Sequence, residues 1–240
     1  MDNYFISKPP YGRNYKKNGL INFVNKCSRY FKFGYSVVVS DSQKDMNTIE
    51  QRINYYHLLD AILVHNVEGE IIELGCFTGQ CAMLFQNVLQ QRYSKKQLYL
   101  FDSFEIKFSE TGSIEEKLIE NFKKNKLKLP ILVKGFFQDT LSEKLPSKIA
   151  FAHIDCGFGG NPEEHKTILL FCLNEVYKKM SNNAICVLMD YFDENINGER
   201  NNHNPGVKLA CDEFFIDKSE EIVSLYGNQY SHAYFRKIAN

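Results

Sequence analysis

The sequence predicts an α/β fold in which a mostly parallel sheet is covered by helices on both faces. Short apolar runs alternate along the chain with longer segments whose apolar residues recur at helical spacing, the pattern of successive strand and helix units. The runs are nearly continuous in apolar residues, as in strands buried on both faces. A length of 240 residues, 44% of them hydrophobic, is enough for one such domain with a sizeable core.

The individual elements are predicted in order from about residue 45. A first helix begins at Asn47 or Thr48, either of which is a suitable N-cap, and ends near Val64. Apolar runs predict strands at 70–75, 97–102, 130–135, 148–155 and 184–190. Helical spacing predicts helices at 79–92, 114–125, 163–180 and 205–215, with residues 181–183 ending the third of these. The last two runs, 221–226 and 230–236, are typical of a closing hairpin pair.

The charge distribution divides the chain into an N-terminal arm, residues 1–44, and a domain, residues 45–240. The whole chain has 29 basic and 29 acidic residues, so no global field would attract nucleic acid. Residues 1–40 nevertheless hold one acid, Asp2, against seven basic residues, which are Lys8, Arg13, Lys16, Lys17, Lys26, Arg29 and Lys32. The arm is a solvated segment or a contact within a homo-oligomer, or else a surface for an anionic acceptor or anionic lipid headgroups.

The sequence shows neither a transmembrane run nor a signal-peptide pattern, and its cysteines are typical of a reducing compartment. No apolar run approaches the roughly 20 residues of a transmembrane helix. Residues 1–10 contain Asp2, Lys8 and two prolines instead of the apolar core of a signal peptide, so we expect a cytoplasmic protein. The seven cysteines form no C-x-x-C pair and most lie in apolar stretches, which favours thiols that pack in the core.

The loop after the first strand and the end of the second strand carry the first functional signal. Parallel sheets bind ligands at the carboxyl ends of their strands. Gly75 and Gly79 have the spacing G-x-x-x-G before a helix, whose N-terminus offers unpaired N–H groups. Phe77 occupies the place of the second glycine of a dinucleotide loop, which argues against a nicotinamide cofactor. Asp102 suits the hydroxyls of an adenosine ribose, so the two features indicate a nucleotide-like ligand; the alternative is a glycine turn with a helix-capping Asp102.

Several short motifs follow one another in a fixed order between Thr48 and Phe214. They are Thr48-Ile-Glu-Gln-Arg52, Val67-Glu-Gly-Glu-Ile-Ile-Glu-Leu-Gly75, Leu100-Phe-Asp-Ser-Phe-Glu105, Lys134-Gly-Phe-Phe-Gln-Asp-Thr-Leu141, His153-Ile-Asp155, Asp190-Tyr191 and Ala210-Cys-Asp-Glu-Phe214. In this order they resemble the macrocin O-methyltransferase (TylF-type) family of class I S-adenosylmethionine-dependent methyltransferases. The resemblance implies a Rossmann-like, seven-stranded, mostly parallel sheet with an antiparallel last strand. It also implies methyl transfer to a hydroxyl, typically of a sugar on a natural product or glycan.

The resemblance also assigns residues to the cofactor. The cofactor-binding candidates are Glu73, Gly75, Phe77, Thr78, Gly79, Asp102, Ser103, Phe104, Gln138 and Asp139. Glu73 would organise the ammonium group of S-adenosylmethionine, although it could instead cap the following turn. Asp102 would hold the ribose, while Gln138 and Asp139 follow the third strand, where relatives contact the adenine. Phe104 and Phe136 are candidates for packing against the adenine ring, or else belong to the core.

Two acids, Asp155 and Asp190, are the catalytic candidates, since they end neighbouring strands and a sugar hydroxyl needs a base or a metal nearby. In the family these positions resemble D-x-D-x-Y and D-D-Y, and their carboxylates hold a magnesium ion. This chain departs from both patterns, because Cys156-Gly-Phe158 follows the first acid and Met189 precedes the second.

Two carboxylates can still hold Mg²⁺, because that ion keeps several waters. The predicted metal ligands are therefore also Asp155 and Asp190, with Asp193, Glu194 or His165 as additional candidates. The alternatives are that Asp155 acts alone as a base or that both acids cap helices. His153 shares a strand face with Asp155, and we expect a buried histidine there, with its hydrogen bonds satisfied, rather than a base.

Two competing functions remain. A nucleotide-sugar dehydrogenase would need the G-x-G-x-x-G loop that this chain lacks. A cofactor-binding relative without turnover would be consistent with the depleted acid cluster. The polar stretch 193–204 follows a strand end and is a candidate lid or substrate-recognition loop.

Overall fold

One sheet organises the fold. The computed structural model describes residues 18–37, 47–108, 110–156, 160–197, 202, 204–227 and 231–238. Within them the sheet has seven strands in the spatial order β3-β2-β1-β4-β5-β7-β6. The strands are β1 (Glu70–Leu74), β2 (Leu98–Asp102), β3 (Ile131–Lys134), β4 (Ile149–Ile154), β5 (Met180–Met189), β6 (Val223–Leu225) and β7 (His232–Arg236). The first five are mutually parallel, and β7 is antiparallel to both β5 and β6.

The helices are α1 (Asn18–Tyr30), α2 (Ile49–Val64), α3 (Gln80–Gln91), α4 (Ile114–Lys124), α5 (Phe137–Lys144), α6 (Pro162–Lys179), α7 (Glu194–Asn197) and α8 (Gly206–Phe214). Of these, α2, α3, α5 and α6 pack against the sheet, and α8 packs against α6. All six residues of β4 are buried at the centre of the sheet, as its continuous apolar run predicts. The predicted fold class, a Rossmann-like seven-stranded and mostly parallel sheet with an antiparallel last strand, is confirmed.

The boundary between α6 and β5 differs from the prediction. Residues 181–183 were expected to separate a helix from a strand, but β5 begins at Met180, directly after the last helical residue. Met180 is buried and pairs with Ile149 of β4, so the strand continues through the polar residues that follow. Those polar residues are partly exposed at the start of the strand, which is why they read as a loop in the sequence.

Three helices were not among the predicted elements. In α5 the buried residues are Thr140 and Leu141, and in the single turn α7, within the polar stretch 193–204, no residue is buried. Too few apolar positions are present in either for a helical period to be visible in the sequence. The third, α1, lies in the basic arm, and none of its described side chains is buried.

The start of α2 fixes a segment beside the sheet edge where ligands bind. Thr48 is the N-cap and forms a capping box with Gln51. Its hydroxyl also donates to the carbonyl of Gly227, 2.7 Å away, which ties α2 to the C-terminal hairpin.

Six of the seven cysteines are buried, as their apolar surroundings predict. No helix in the described part of the chain is long and apolar enough to cross a bilayer.

Candidate active site

A cavity of about 450 Å³ lies at the carboxyl ends of β1 to β5, where parallel sheets bind ligands. Eight of the twelve predicted site residues line it, namely Glu73, Gly75, Phe77, Asp102, Ser103, Gln138, Asp155 and Asp190. They come from the ends of four strands and the start of α5, separated by up to 117 positions in the chain. The fold therefore brings the residues predicted to bind the methyl donor and those predicted to act on the acceptor into one cavity.

Gly75 sits where the ends of β1 and β4 meet. Its φ is +80°, and a Cβ built there would lie 1.9 Å from the carbonyl oxygen of Asp155. The amide of Asp155 donates to the carbonyl of Leu74 at 2.8 Å, which holds the two strand ends together. A side chain at position 75 would push Asp155 away, so the glycine sets the position of that acid.

Asp102 ties the glycine loop to the end of β2. Its Oδ2 accepts hydrogen bonds from the backbone amides of Cys76 and Phe77, at 2.8 and 2.9 Å. Its Oδ1 accepts one from the amide of Phe104 at 2.7 Å. Asp102 therefore caps no helix. It fixes the loop shape and still faces the cavity.

Four non-glycine residues at this edge adopt left-handed backbone conformations. Phe77, Phe104, Phe108 and Asp190 have φ values of +45°, +58°, +47° and +60°. Each costs roughly 1–2 kcal/mol relative to a right-handed conformation. The amides of Phe77 and Phe104 are held by Asp102, and the rings of Phe77 and Phe108 pack edge-on at 5.1 Å between centroids. Strain of this kind is typical of functional sites, because it aims side chains that a relaxed backbone would turn away.

Glu73 and His153 form a buried hydrogen-bonded pair on adjacent strands. They are register partners in β1 and β4, and Nδ1 of His153 lies 3.0 Å from Oε1 of Glu73. Burial lowers the pKa of His153 to about 4, and burial followed by the charge of Asp102 raises the pKa of Glu73 well above its ordinary value. The distance is also that of a salt bridge, but both shifts favour the neutral form of each group.

The same pair settles two of the sequence-based alternatives by geometry. Glu73 does not cap the turn after β1, since Oε1 contacts His153 and Oε2 is buried without a hydrogen-bond partner among the described residues. His153 is fully buried, as expected, and packs edge-on against the ring of Tyr55, but its Nε2 is buried without a hydrogen-bond partner among the described residues. Glu73 lines the cavity, and a buried carboxylate oxygen without a donor beside a cavity is suited to a cationic ligand.

Asp155 and Asp190 face the same cavity. Burial, followed by the negative charge of Asp190, raises the pKa of Asp155 to about 7. The side-chain amide of Asn204 donates to Oδ2 of Asp190 at 2.6 Å, which holds that carboxylate in place. Asn204 belongs to the polar stretch 193–204, so this stretch reaches the acids, although residues 198–201 and 203 lie outside the described part of the chain.

Met189 forms an apolar wall beside the two acids. Its sulfur accepts hydrogen bonds from Nε2 of Gln51 and from the hydroxyl of Tyr55, both at 3.2 Å. Both donors come from the buried side of α2. The thioether is thus held in one orientation at the edge of the cavity, in the place where relatives were expected to have a carboxylate.

Four predicted cofactor residues do not line the cavity. Gly79 is the N-cap of α3, with a Cβ position 3.1 Å from Leu118, and Thr78 is buried with its carbonyl accepting from Asn121. Phe104 is buried in the core cluster, and Asp139 lies exposed in the first turn of α5. These residues shape the loops around the cavity.

Phe136, a candidate for packing against the adenine ring, also lines the cavity. The remaining lining residues are Asn47, Cys76, Gln80, Cys81, Ile106, Phe108, Gly135, Phe137, Cys156, Ile168 and Met189. Gln80 and Cys81 begin α3 immediately after the glycine loop, so their position was readable from the sequence. The sequence does not indicate that Asn47 or Ile168 lines the cavity. Asn47 precedes α2 and Ile168 lies within α6, and only the tertiary fold brings them to it. The additional metal candidates Asp193, Glu194 and His165 do not line it.

Several solved structures share the fold of this chain. The O-methyltransferase NovP matches with a TM-score of 0.64 at 19% identity, over 80% of this chain and 81% of NovP. CalS11, a calicheamicin methyltransferase, matches with a TM-score of 0.55 at 17% identity, over 90% and 91% of the two chains. An SAH-bound methyltransferase from Podospora anserina, PaMTH1, gives 0.53 at 14% identity, over 91% and 96%. The fold is therefore that of the methyltransferases.

The family follows from the sequence itself. The macrocin-O-methyltransferase (TylF) family model matches residues 43–204, about two thirds of the chain. The chain belongs to the TylF family and is an S-adenosylmethionine-dependent methyltransferase. This assignment overturns the alternative of a nucleotide-sugar dehydrogenase. None of the curated proteins compared with the chain matches it in sequence.

Proposed function

We propose that this enzyme transfers a methyl group from S-adenosylmethionine to a hydroxyl of a sugar, glycan or sugar-bearing natural product. The observation that carries the proposal is that one cavity is lined both by Asp102, suited to a ribose, and by the half-buried acids Asp155 and Asp190. CalS11, of similar fold, is described as a TDP-rhamnose 3′-O-methyltransferase, which makes a sugar hydroxyl the first acceptor to test.

The donor end of the cavity fits the cofactor. A volume of about 450 Å³ falls in the range of ligand pockets. Oε2 of Glu73 would receive the ammonium group, whose charge would favour the ionised carboxylate. Asp102 uses one lone pair of Oδ1 and two of Oδ2 on backbone amides, so one remains for a ribose hydroxyl. Ser103 lies beside that acid, and Gln138 at the start of α5 would contact the adenine.

Acceptor chemistry falls to the two acids. The bound cofactor supplies an electrophilic methyl on its sulfonium, so the chain's own task is to align donor and acceptor and to take up a proton. We assign Asp155 as the general base, because a pKa near neutrality lets it accept the hydroxyl proton at physiological pH. Asp190, held by Asn204, maintains that pKa through its charge and offers a second hydrogen-bond acceptor to the hydroxyl.

The magnesium ion of the family is the competing proposal for the same acids. Two carboxylates, Asp155 and Asp190, could hold Mg²⁺ with water completing the shell. Against this, their neighbours Cys156 and Met189 offer sulfur, which Mg²⁺ disfavours, and both lie in the same wall. Among the described residues, the one group of three metal-type side chains is Glu73, Cys81 and His153, at the donor end. The residues around Asp155 and Asp190 therefore fit a magnesium ion only incompletely.

Methyl transfer to candidate acceptors tests the proposal directly. The enzyme would be incubated with methyl-labelled S-adenosylmethionine and a panel of nucleotide sugars, beginning with TDP-rhamnose, and free glycans. A labelled product with an O-methyl ether, absent with Asp155→Asn, is the expected result. Cofactor binding without transfer to any hydroxyl acceptor would instead support a relative without turnover.

A further inference from the structure

Helix α1 presents an unburied apolar face. Phe23 and Val24 follow Leu20 by three and four positions, and Tyr30 and Phe31 follow that pair by seven, so all five lie along one side of the helix and the turn that follows it. Their exposed fractions are 72%, 63%, 41%, 80% and 60%. An apolar stripe this exposed on a helix normally faces a core, a partner or a membrane.

The opposite side of α1 is polar and basic. Asn22, Lys26 and Arg29 lie there, and Lys32 follows in the turn. Residues 18–37 contain no Asp or Glu, so no acid of the segment offsets these charges. The helix therefore combines exposed Leu and Phe on one face with Lys and Arg on the other, the distribution of helices that lie in the interface of a bilayer.

The segment after α1 is folded back onto the helix. Asn25 makes two hydrogen bonds to the backbone of Val37, each 2.7 Å long, and the hydroxyl of Ser28 donates to the carbonyl of Tyr35. The rings of Phe31 and Phe33 stack at 5.6 Å between centroids. Residues 18–37 thus form a small structured unit that holds its aromatic side chains exposed together, instead of an extended solvated arm.

We propose that this unit, residues 18–37, binds anionic lipid bilayers, with α1 lying parallel to the surface. Three cations without an acid complement anionic headgroups, and the apolar face requires an apolar phase that a soluble anion does not provide. A second copy of the arm is disfavoured, because residues 1–40 hold seven basic residues against one acid and two such arms would repel one another. The thirteen residues of α1 are too few to span the bilayer.

Vesicle binding of the full chain tests the proposal. Wild-type protein should cosediment with vesicles of phosphatidylcholine and phosphatidylserine, and much less with phosphatidylcholine alone or at high salt. The triple variant Lys26→Gln, Arg29→Gln, Lys32→Gln should lower the affinity on the order of 100-fold, and Leu20→Ser, Phe23→Ser, Phe31→Ser at least about tenfold. A matched control removes three exposed lysines of the domain, Lys123→Gln, Lys124→Gln, Lys128→Gln, and should leave binding unchanged.

Three results would overturn it. The control variant could lose as much binding as the arm variant, which would mean that net charge alone attracts the protein. The serine variant could bind like wild type, which would mean that the apolar face does not enter the bilayer. Sedimentation without vesicles could show a wild-type dimer that becomes a monomer in the serine variant, which would assign the face to a second copy. Because α1 is exposed, none of these variants removes a core side chain.

Discussion

Asp102 shows how one side chain can hold both a loop and a ligand. Its two carboxylate oxygens accept three backbone hydrogen bonds from the glycine loop and from Phe104, and it still lines the cavity. A carboxylate in this position is thus needed before any cofactor binds, because it sets the left-handed conformation of Phe77. Loss of Asp102 should accordingly change stability and affinity together.

We predict that Asp102→Ala weakens S-adenosylhomocysteine binding by about tenfold to a hundredfold, the loss of one charged hydrogen bond of roughly 1.5–3 kcal/mol. Calorimetric titration measures this effect. The same variant should lower the free energy of unfolding by about 1–3 kcal/mol, since loop amides lose their acceptor. Glu105→Ala, which removes an exposed carboxylate outside the cavity, is the control and should change neither quantity. Unchanged affinity in Asp102→Ala would mean that the cofactor lies elsewhere.

Asp155 should control the pH dependence of turnover. A base accepts a proton only when ionised, and burial with the charge of Asp190 raises its pKa to about 7. The rate constant kcat/KM should therefore rise with pH through about 7 and reach a plateau above it. Asp155→Asn should lower kcat by about 10²–10⁴-fold and leave S-adenosylhomocysteine affinity unchanged. Chelator should have no effect. Activity abolished by chelator and restored by Mg²⁺ would favour the metal proposal instead.

Asp190→Asn gives a sharper version of the same test. Because the negative charge of Asp190 raises the pKa of Asp155, removing it should shift the midpoint of the remaining pH profile to lower pH. An amide at position 190 can still contact Asn204, so the loop should stay in place. A midpoint that does not move would show that the two acids are uncoupled and that Asp155 owes its pKa to burial alone.

At the scale of the elements, the meeting of β1 and β4 is the most constrained point. Gly75→Ala should lower the free energy of unfolding by more than about 3 kcal/mol or prevent folding, because a Cβ there would lie 1.9 Å from a backbone carbonyl. Gly112→Ala is the matched control, with φ of +83° and no atom within 4 Å of its Cβ. It should cost only the roughly 1–2 kcal/mol of a left-handed alanine. Urea unfolding measures both, and equal losses would show that backbone conformation, not crowding, requires the glycine.

The elements predicted from the sequence were those whose signal is local. The predicted strands and the helices α2, α3, α4, α6 and α8 appear within a few residues of their expected bounds, since each carries an apolar run or a helical period. The helix α5 was missed, because only Thr140 and Leu141 on it face the core. The start of β5 was missed because residues 181–183 are polar and resemble a turn. The pairing of Met180 with Ile149 that extends the strand depends on the tertiary fold.

The candidate site divides in the same way. Gly75, Asp102, Asp155 and Asp190 were predicted as neighbours because carboxyl ends of parallel strands share an edge. The pairing of Glu73 with His153 depends on the register of β1 against β4, which no local pattern contains. The hydrogen bonds from Gln51 and Tyr55 to the sulfur of Met189 depend on how α2 packs over β5. They could likewise not be predicted from the sequence.

At the scale of the whole molecule, the neutral chain consists of two oppositely charged parts. Residues 1–40 hold seven basic residues and one acid, so the other 200 residues hold 22 basic residues (29 less 7) and 28 acids (29 less 1). The cavity is lined by four acidic side chains, Glu73, Asp102, Asp155 and Asp190, and by no Lys or Arg of the described residues. A cationic group is therefore favoured at the donor end, beside Glu73 and Asp102, and a pyrophosphate is disfavoured there.

The acidic lining of the cavity predicts which cofactors bind and so stabilise the intact protein against unfolding. We predict that S-adenosylhomocysteine raises the melting temperature and that NAD, with its pyrophosphate, does not. A ligand at 100 times its Kd stabilises the folded state by about 2.7 kcal/mol. For a domain of this size that corresponds to a shift of about 5–10 °C. The shift should fall to about half or less in Asp102→Ala at the same ligand concentration and be retained in Asp155→Asn, because only the first change removes a donor-side contact. An equal shift with NAD would contradict the assignment of the donor end, since Glu73 and Asp102 would then tolerate a pyrophosphate beside them.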